Sequence, residues 1–263
     1  MEILGYLGAL FIGIILGITG GGGSILSVPV LVYILGYNPI IATAYSLFIV
    51  GTTSIVGALI NFRKGLVVLS TALKFAAPSV IGVFLTRRFI VPKLPNTFGI
   101  PNYFTVSKAD FLMLLFAIIM LLSAFYMLKN KKQENDTKSY NPKYGFVLLS
   151  QLFLVGILIG LIGSGGGFLI VPALLKFAKL PIKKAIGTSL LIIGINSLIG
   201  FIGDIQTQEI DWGFLFTFTT ISILGVFIGL SIQKFINDKK LKKIFGIFIV
   251  LMAIFILYKV LIS

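Results

Sequence analysis

Two glycine runs contain the residue types best suited to bind a ligand. One lies in the stretch ITGGGGSILSVP, residues 18–29, and the other in LIGSGGGFLIVP, residues 161–172. Each glycine costs a helix about 1 kcal/mol relative to alanine, so we expect a helix to stop at each run. A helix that restarts there exposes unpaired N–H groups and a partial positive charge at its first turn. Because glycine has no Cβ to block the approach, the pattern is typical of a site for a small anion.

The candidate anion-binding residues of the two runs are glycines and one serine. Close packing of helices on small residues is the alternative, and it explains isolated glycines better than four in succession. Pro29 and Pro172 follow the runs too deep for a first helical turn, and they predict a kink or a shortened helix. The candidates are Gly21, Gly22, Gly23 and Ser24 in the first run and Gly165, Gly166 and Gly167 in the second.

Polar side chains in the segments after the runs are further candidates. Ser46 and Thr53 follow the first run at the spacing at which Ser189 and Asn196 follow the second. Hydroxyls in membrane helices also bond to their own i−4 carbonyls, so packing and ligand contact both stay open. Lys74 is a candidate cation for the anion. Alternatively, Lys74 extends to the membrane surface if its helix begins near residue 70.

The residue types that are missing narrow the chemistry. The 263 residues include no Cys and no His, which removes thiolate chemistry, disulfides and the commonest metal ligands. We therefore expect no metal and no cofactor. All eight acidic residues are predicted at helix ends or in loops, so we expect no buried carboxylate to carry a proton. Without a paired acid and base in the apolar segments, an enzyme is not expected.

The composition predicts an all-α integral membrane protein. Apolar residues make up 57% of the chain and charged residues 11%, with a mean hydropathy of +1.08. The Lys and Arg residues fall between the apolar segments, which favours a lipid bilayer over nucleic acid as the partner. The apolar N-terminal stretch lacks the features of a cleaved signal peptide. Stretches that approach or exceed the roughly 20 residues needed to span a bilayer are 66–89, 111–128, 185–203, 212–232 and 244–262.

The chain is predicted to be a duplication with an offset of 143 residues. Two halves, residues 1–128 and 144–263, are joined by a charged cytoplasmic linker, residues 129–143. Each half contains a glycine-broken segment, an apolar piece too short to cross alone, and three full-length helices. The residues that match are Gly13, Gly17, Gly20, Gly22, Gly23, Val28, Pro29, Ala42, Ser46, Gly51, Ser54, Gly57 and Gly82 with Gly156, Gly160, Gly163, Gly165, Gly166, Val171, Pro172, Ala185, Ser189, Gly194, Ser197, Gly200 and Gly225.

The distribution of Lys and Arg favours a re-entrant hairpin at each broken segment over a simple crossing. With a hairpin and three spans per half, sixteen of these residues lie inside and five outside, whereas four simple crossings place eight inside and thirteen outside. The N-terminus and the C-terminus are then predicted outside and the linker inside. The second half is predicted to be inverted relative to the first. Inverted repeats with broken helices near the midplane are typical of secondary transporters.

The paired signatures GIILGITGGGGSILSVPVL and GILIGLIGSGGGFLIVPAL resemble the TauE/SafE family of bacterial and archaeal membrane transporters. The resemblance covers nearly the whole chain. It implies transport of a small sulfur-containing anion, such as sulfite, thiosulfate or an organosulfonate like sulfoacetate, across the inner (cytoplasmic) membrane. We expect the anion to bind between the facing helix starts and to move by alternating access, assisted by the membrane potential. The first run lacks the serine of the second, so equal contributions from the two halves are not expected.

Two other functions stay open at this point. The first is an anion channel in which the broken helices form a selectivity filter. The second is a membrane scaffold or sensor subunit that transports nothing. The sequence also leaves open the anion, the direction of transport, the coupling ion and the oligomeric state.

Overall fold

Helices make up most of the computed structural model, which describes residues 2–95, 97–100, 104–129, 145–205 and 210–262. The helices of the first half are α1 (Glu2–Thr19), α2 (Gly23–Pro29), α3 (Pro39–Arg63), α4 (Leu69–Leu85), α5 (Val91–Lys93) and α6 (Lys108–Lys129). Those of the second half are α7 (Gly145–Ile162), α8 (Gly167–Phe177), α9 (Ile182–Asp204), α10 (Trp212–Gln233) and α11 (Asp238–Ile262). A π-helical turn, Val30–Ile34, follows α2, and a second, Thr86–Ile90, joins α4 to α5.

Six segments of the described chain are long and apolar enough to cross a membrane. Large apolar side chains such as Leu122, Phe216 and Leu251 are exposed on their outer surfaces, as contact with lipid requires. This arrangement confirms the all-α membrane class, with three long helices in each half. The six segments are Pro39–Arg63, Leu69–Lys93, Lys108–Phe125, Ile182–Asp204, Trp212–Gln233 and Asp238–Ile262.

Two local features differ from the sequence prediction. Helix α4 begins at Leu69 rather than residue 66, because Gly65 adopts a left-handed φ of +69° and a short extended stretch follows it. A small antiparallel hairpin of β1 (Thr97–Ile100) and β2 (Phe104–Ser107) precedes α6, although the chain was predicted to be all-α. Most of the predicted linker, from residue 130 onward, lies outside the described residues.

The broken segment of the first half folds back as a hairpin. A Cβ added to Gly23 would lie 2.5 Å from the Cβ of Leu16, and one added to Gly8 would lie 2.8 Å from Val30. A Cβ on Gly5 would lie 2.5 Å from the side chain of Leu35. Later residues of the returning segment therefore lie beside earlier residues of α1. In the second half, Gly166 lies beside Ile159 of α7 in the corresponding position.

The two prolines behave differently in the returning segments. Pro29 ends α2, and the chain continues from Val30 as a π-helical turn, so the predicted shortening is present there. Pro172 lies inside α8, which continues without a change of helix type to Phe177. The predicted shortening is therefore seen in the first half, whereas a kink at Pro172 stays a prediction.

The first helix of each half packs against a helix of the other half. A Cβ on Gly13 of α1 would lie 2.9 Å from the Cα of Gly225 in α10. A Cβ on Gly82 of α4 would lie 3.1 Å from the carbonyl carbon of Gly156 in α7. The two contacts correspond to each other in the duplication, because Gly13 matches Gly156 and Gly82 matches Gly225 at the offset of 143. Neither half is a separate packing unit, because each supplies a helix to the other.

Candidate functional site

Each glycine run forms a sharp turn between two helices. The first glycine loop, residues 20–22, links α1 to α2, and Gly20 has a φ of +69°. The side chain of Thr19 accepts a hydrogen bond from the amide of Gly22 at 2.7 Å and so fixes this turn. The second glycine loop, residues 163–166, links α7 to α8 and has three residues of positive φ. An L-amino acid with a side chain would be strained at these positions.

The two glycine loops meet in the buried centre of the protein. A Cβ added to Gly21 would lie 2.5 Å from the carbonyl carbon and oxygen of Gly167, and one added to Gly167 would overlap the Cα of Gly21. Residues 20–24 and 163–167 are all buried. Gly23 and Gly167 are the first residues of α2 and α8, so the amides of these first turns have no acceptor within their own helices. The contact between Gly21 and Gly167 brings the starts of the two helices close together.

The candidate serines support the loops. Ser24 donates to the carbonyl of Gly21 at 2.6 Å, and Ser189 of α9 donates to the carbonyl of Gly20 at 2.8 Å. Ser46 of α3 shares a hydrogen bond of 2.5 Å with Ser27 of α2. These serines are buried, and their hydrogen bonds hold the first glycine loop and α2 against α3 and α9.

The remaining polar candidates bond to groups that are not part of either loop. Thr53 donates to the carbonyl of Ile49 in its own helix at 2.5 Å, as hydroxyls in helices commonly do. Asn196 donates to the hydroxyl of Ser79 in α4 at 2.9 Å and joins α9 to α4.

Lys74 is not brought to the loops. Its side chain is exposed in the second turn of α4, close to the end of the helix. This is the placement expected for a lysine that extends to the membrane surface. Lys74 is therefore not part of the proposed site.

An arginine is buried beside the second glycine loop. Arg87 is 1% exposed and lies in the π-helical turn Thr86–Ile90. Its Nη1 lies 3.2 Å from Oδ2 of Asp204, at the end of α9, and donates to the hydroxyl of Thr43 in α3 at 3.2 Å. A Cβ on Gly163 would overlap Nη2 of Arg87, so glycine at this position makes room for the guanidinium.

Several polar atoms around the second glycine loop have no hydrogen-bond partner. They are Nε and Nη2 of Arg87 and the hydroxyls of Ser164 and Ser197, all fully buried. The hydroxyl of Ser197 lies 2.7 Å from the position that a Cβ of Gly165 would take. Buried polar groups in proteins are nearly always paired, so a set of unpaired donors points to a ligand or water. Within the described residues, no three acidic side chains come together as ligands for a metal ion.

The family model described as "Sulfite exporter TauE/SafE" matches residues 5–256. The chain belongs to the TauE/SafE family. It is therefore a membrane transporter.

Relatives of this TauE/SafE transporter include three curated proteins. A "Probable membrane transporter protein" of Xylella fastidiosa (strain 9a5c) is 29% identical over 253 residues, covering 94% of this chain and 92% of that protein. The "Probable membrane transporter protein YunE" of Bacillus subtilis (strain 168) is 26% identical, covering 94% and 96%. The "Probable membrane transporter protein MJ0441" of Methanocaldococcus jannaschii is 37% identical over 119 residues, covering 41% and 45%. No solved structure shows a significant match.

Sequence reasoning placed two residues of this TauE/SafE transporter wrongly. Arg87 was counted among the five basic residues on the outer side, but it lies in the π-helical turn Thr86–Ile90 and is buried. No buried carboxylate was expected, but Asp204 is 5% exposed and paired with Arg87. The duplication could have pointed to this pair, because neither residue has a charged counterpart in the other half. Arg87 matches Leu230, and Asp204 matches Asn61. A charge that appears in only one copy of a repeat marks a place where the halves differ.

Proposed function

We propose that the protein carries a small sulfur oxyanion across the cytoplasmic membrane and binds it at the starts of α2 and α8. The observation that carries the proposal is the buried contact between the two glycine loops, where Gly21 lies against Gly167. The starts of α2 and α8 lie close together there, and helix N-termini favour negative charge. The family description, which names sulfite export, supports a sulfur oxyanion as the transported substrate.

We infer that the two loops separate during transport. The contact between Gly21 and Gly167 leaves no space for an anion between their backbones in this conformation. An anion that reaches the helix starts must therefore enter when one loop moves away from the other. Such movement, alternating between the two sides of the membrane, is the mechanism usual for transporters built from inverted repeats.

Flux through the purified protein in liposomes tests the proposal. We expect saturable uptake of radioactive sulfite, thiosulfate or sulfoacetate, accelerated when unlabelled anion is loaded inside. A channel would conduct without saturation and without this acceleration. Failure of all three anions to cross, or to raise the melting temperature of the purified protein, would contradict the proposal and favour a scaffold or sensor role.

A glycine at a helix start provides the matched variants. Gly167→Ala places a Cβ on the backbone of Gly21, whereas Gly213→Ala, in the first turn of α10, makes only an ordinary contact of 3.4 Å with Asp211. We expect Gly167→Ala to lower transport severely and Gly213→Ala to leave it near the parent value. Equal transport by both variants, each folded by size-exclusion chromatography, would show that the loop contact is not part of the pathway.

A further inference from the structure

We propose that Arg87 binds the charged group of the transported anion, an assignment that rests on the function proposed above. Arg87 is a cation buried completely in the described structure, and its guanidinium lies against the second glycine loop. A buried charge is costly unless it is paired and hydrogen-bonded on all its donors. The pairing of Arg87 is incomplete, and the incomplete edge is the one that suits an oxyanion.

The guanidinium uses one edge and leaves the other unpaired. Nη1 holds both protein partners, Asp204 and Thr43, each at 3.2 Å. Nε and Nη2 have no partner. These two groups lie on the same edge of the planar guanidinium and form a fork that bonds two oxygens of one ligand at once. A sulfite or sulfonate group presents two such oxygens, whereas a halide does not.

The surroundings of the fork supply further donors. The unpaired hydroxyls of Ser164 and Ser197 lie in and beside the second glycine loop, and the loop leads into the start of α8. Gly163 adds no Cβ, which would otherwise overlap Nη2. Apart from Oδ2 of Asp204, which lies in the ion pair with Arg87, the described polar atoms without a hydrogen bond here are donors, or hydroxyls that can donate. The chemistry therefore favours an anion over a cation.

The corresponding place in the first half carries no charge. At the offset of 143, Arg87 is matched by Leu230, and Thr43 is matched by Ile186, which borders Gly20 of the first glycine loop. Asp204 is matched by the amide Asn61. The two loops therefore offer unequal surroundings, and the anionic group of the substrate binds on the side of the second loop.

Asp204 acts as the counter-ion of Arg87 when no substrate is bound. The pair is net neutral and buried, so it keeps the guanidinium charge compensated within the protein. An arriving anion competes with Asp204 for the same positive charge. Removal of the carboxylate should therefore strengthen anion binding, and removal of the guanidinium should weaken it.

Binding measured by thermal shift on the purified full-length protein tests the assignment, with sulfite, thiosulfate and sulfoacetate as probes. The variants are Asp204→Asn, the double neutral variant Arg87→Gln with Asp204→Asn, and Arg87→Lys, which keeps the charge without the fork. Arg88→Gln is the matched control, since it removes a charge from the next residue. We expect a lower apparent Kd for Asp204→Asn and an unchanged Kd for the control. The double variant and Arg87→Lys should bind about tenfold more weakly or worse.

The outcomes separate this assignment from a structural role and from the proposed function. An ion pair that only stabilises the fold would change the melting temperature without anion, yet leave the Kd of every folded variant unchanged, and that result would overturn the assignment. If the double variant fails to fold, Arg87→Lys decides alone, because a parent-like Kd would show that the fork is not used. Absence of any response in the parent protein would overturn the proposed function itself.

Discussion

Gly163 and Gly65 share one backbone conformation in very different surroundings. Both have a φ of +69°, which an L-amino acid with a side chain rarely adopts. Gly65 has no atom within 4 Å of the position of a Cβ, whereas the same position at Gly163 overlaps Arg87. The pair therefore separates the effect of backbone strain from the effect of moving a buried arginine.

Alanine at these two positions should give unequal losses. We expect Gly65→Ala to destabilise the protein by about 1 kcal/mol through strain alone and to leave sulfite binding unchanged. Gly163→Ala adds the displacement of Arg87 and should also abolish the thermal shift produced by sulfite. Melting curves with and without sulfite measure both effects. Intact sulfite binding in Gly163→Ala would mean that the position of Arg87 is irrelevant to the site.

The sequence predicted the helix breaks at the two glycine loops, but it did not predict the burial of Arg87 beside the second loop. Four consecutive glycines predict a helix break from the local sequence alone, because each glycine destabilises a helix. The structure has a sharp turn at both runs. Arg87 gave no such local sign. Its burial depends on a π-helical turn and on Asp204, which is distant in sequence, so only the folded chain reveals the pair.

At the scale of elements, glycines set the distance between crossing helices. Helices α1 and α10 approach so closely that a Cβ on Gly225 would overlap the carbonyl oxygen of Leu10. Small residues permit such approach in membranes, where dispersion contacts and close packing replace the hydrophobic effect as the force between helices. Close packing was the better explanation for isolated glycines in the sequence, and two of these, Gly13 and Gly17, contact α10.

The effect of a glycine-to-alanine substitution in α10 on stability should therefore depend on its position in the helix. We expect Gly225→Ala to force α1 away and to cost roughly 1–3 kcal/mol, as overpacking does. Gly213→Ala, in the same helix, meets no backbone atom within 4 Å and should be neutral or slightly stabilising because alanine favours helix. Unfolding of both variants in detergent measures the difference. A Gly225→Ala protein as stable as Gly213→Ala would contradict the close crossing.

At the scale of the whole molecule, the membrane orientation stays a prediction. One structural observation agrees with it, namely that two basic helix ends lie at the same face. Burial and the nearby charge of Lys234 lower the pKa of Lys64, so the ends of α3 and α10 lie at the same face of the protein. The charge distribution predicts that this face is cytoplasmic. The element types could be read from the sequence because their signals are local, whereas the exchange of helices between halves depends on long-range packing.

Single cysteines can report the orientation, since the chain has none of its own. Lys93→Cys and Lys234→Cys alter exposed residues at the ends of α5 and α10. In intact cells we expect a membrane-impermeant maleimide to label Lys93→Cys at once and Lys234→Cys only after permeabilisation. The reverse order would place the linker outside and overturn the predicted topology.

Movement of a net charge makes transport sensitive to voltage. An inside-negative potential of 100 mV favours the exit of one negative charge by about 2.3 kcal/mol. We therefore expect sulfite efflux from liposomes to accelerate when valinomycin and a potassium gradient make the interior negative. A flux that follows a pH gradient and ignores this potential would show that charge is compensated during transport.

The exchange of helices between halves also bears on how the protein is made. Helix α1 ends at Thr19, but the helix it packs against begins at Trp212. The face of α1 that carries Gly13 and Gly17 therefore stays unpacked in the bilayer during synthesis, until α10 has been made. Truncated products consequently carry an unsatisfied α1 surface, a mark by which membrane proteases and insertion chaperones could distinguish unfinished chains from finished ones.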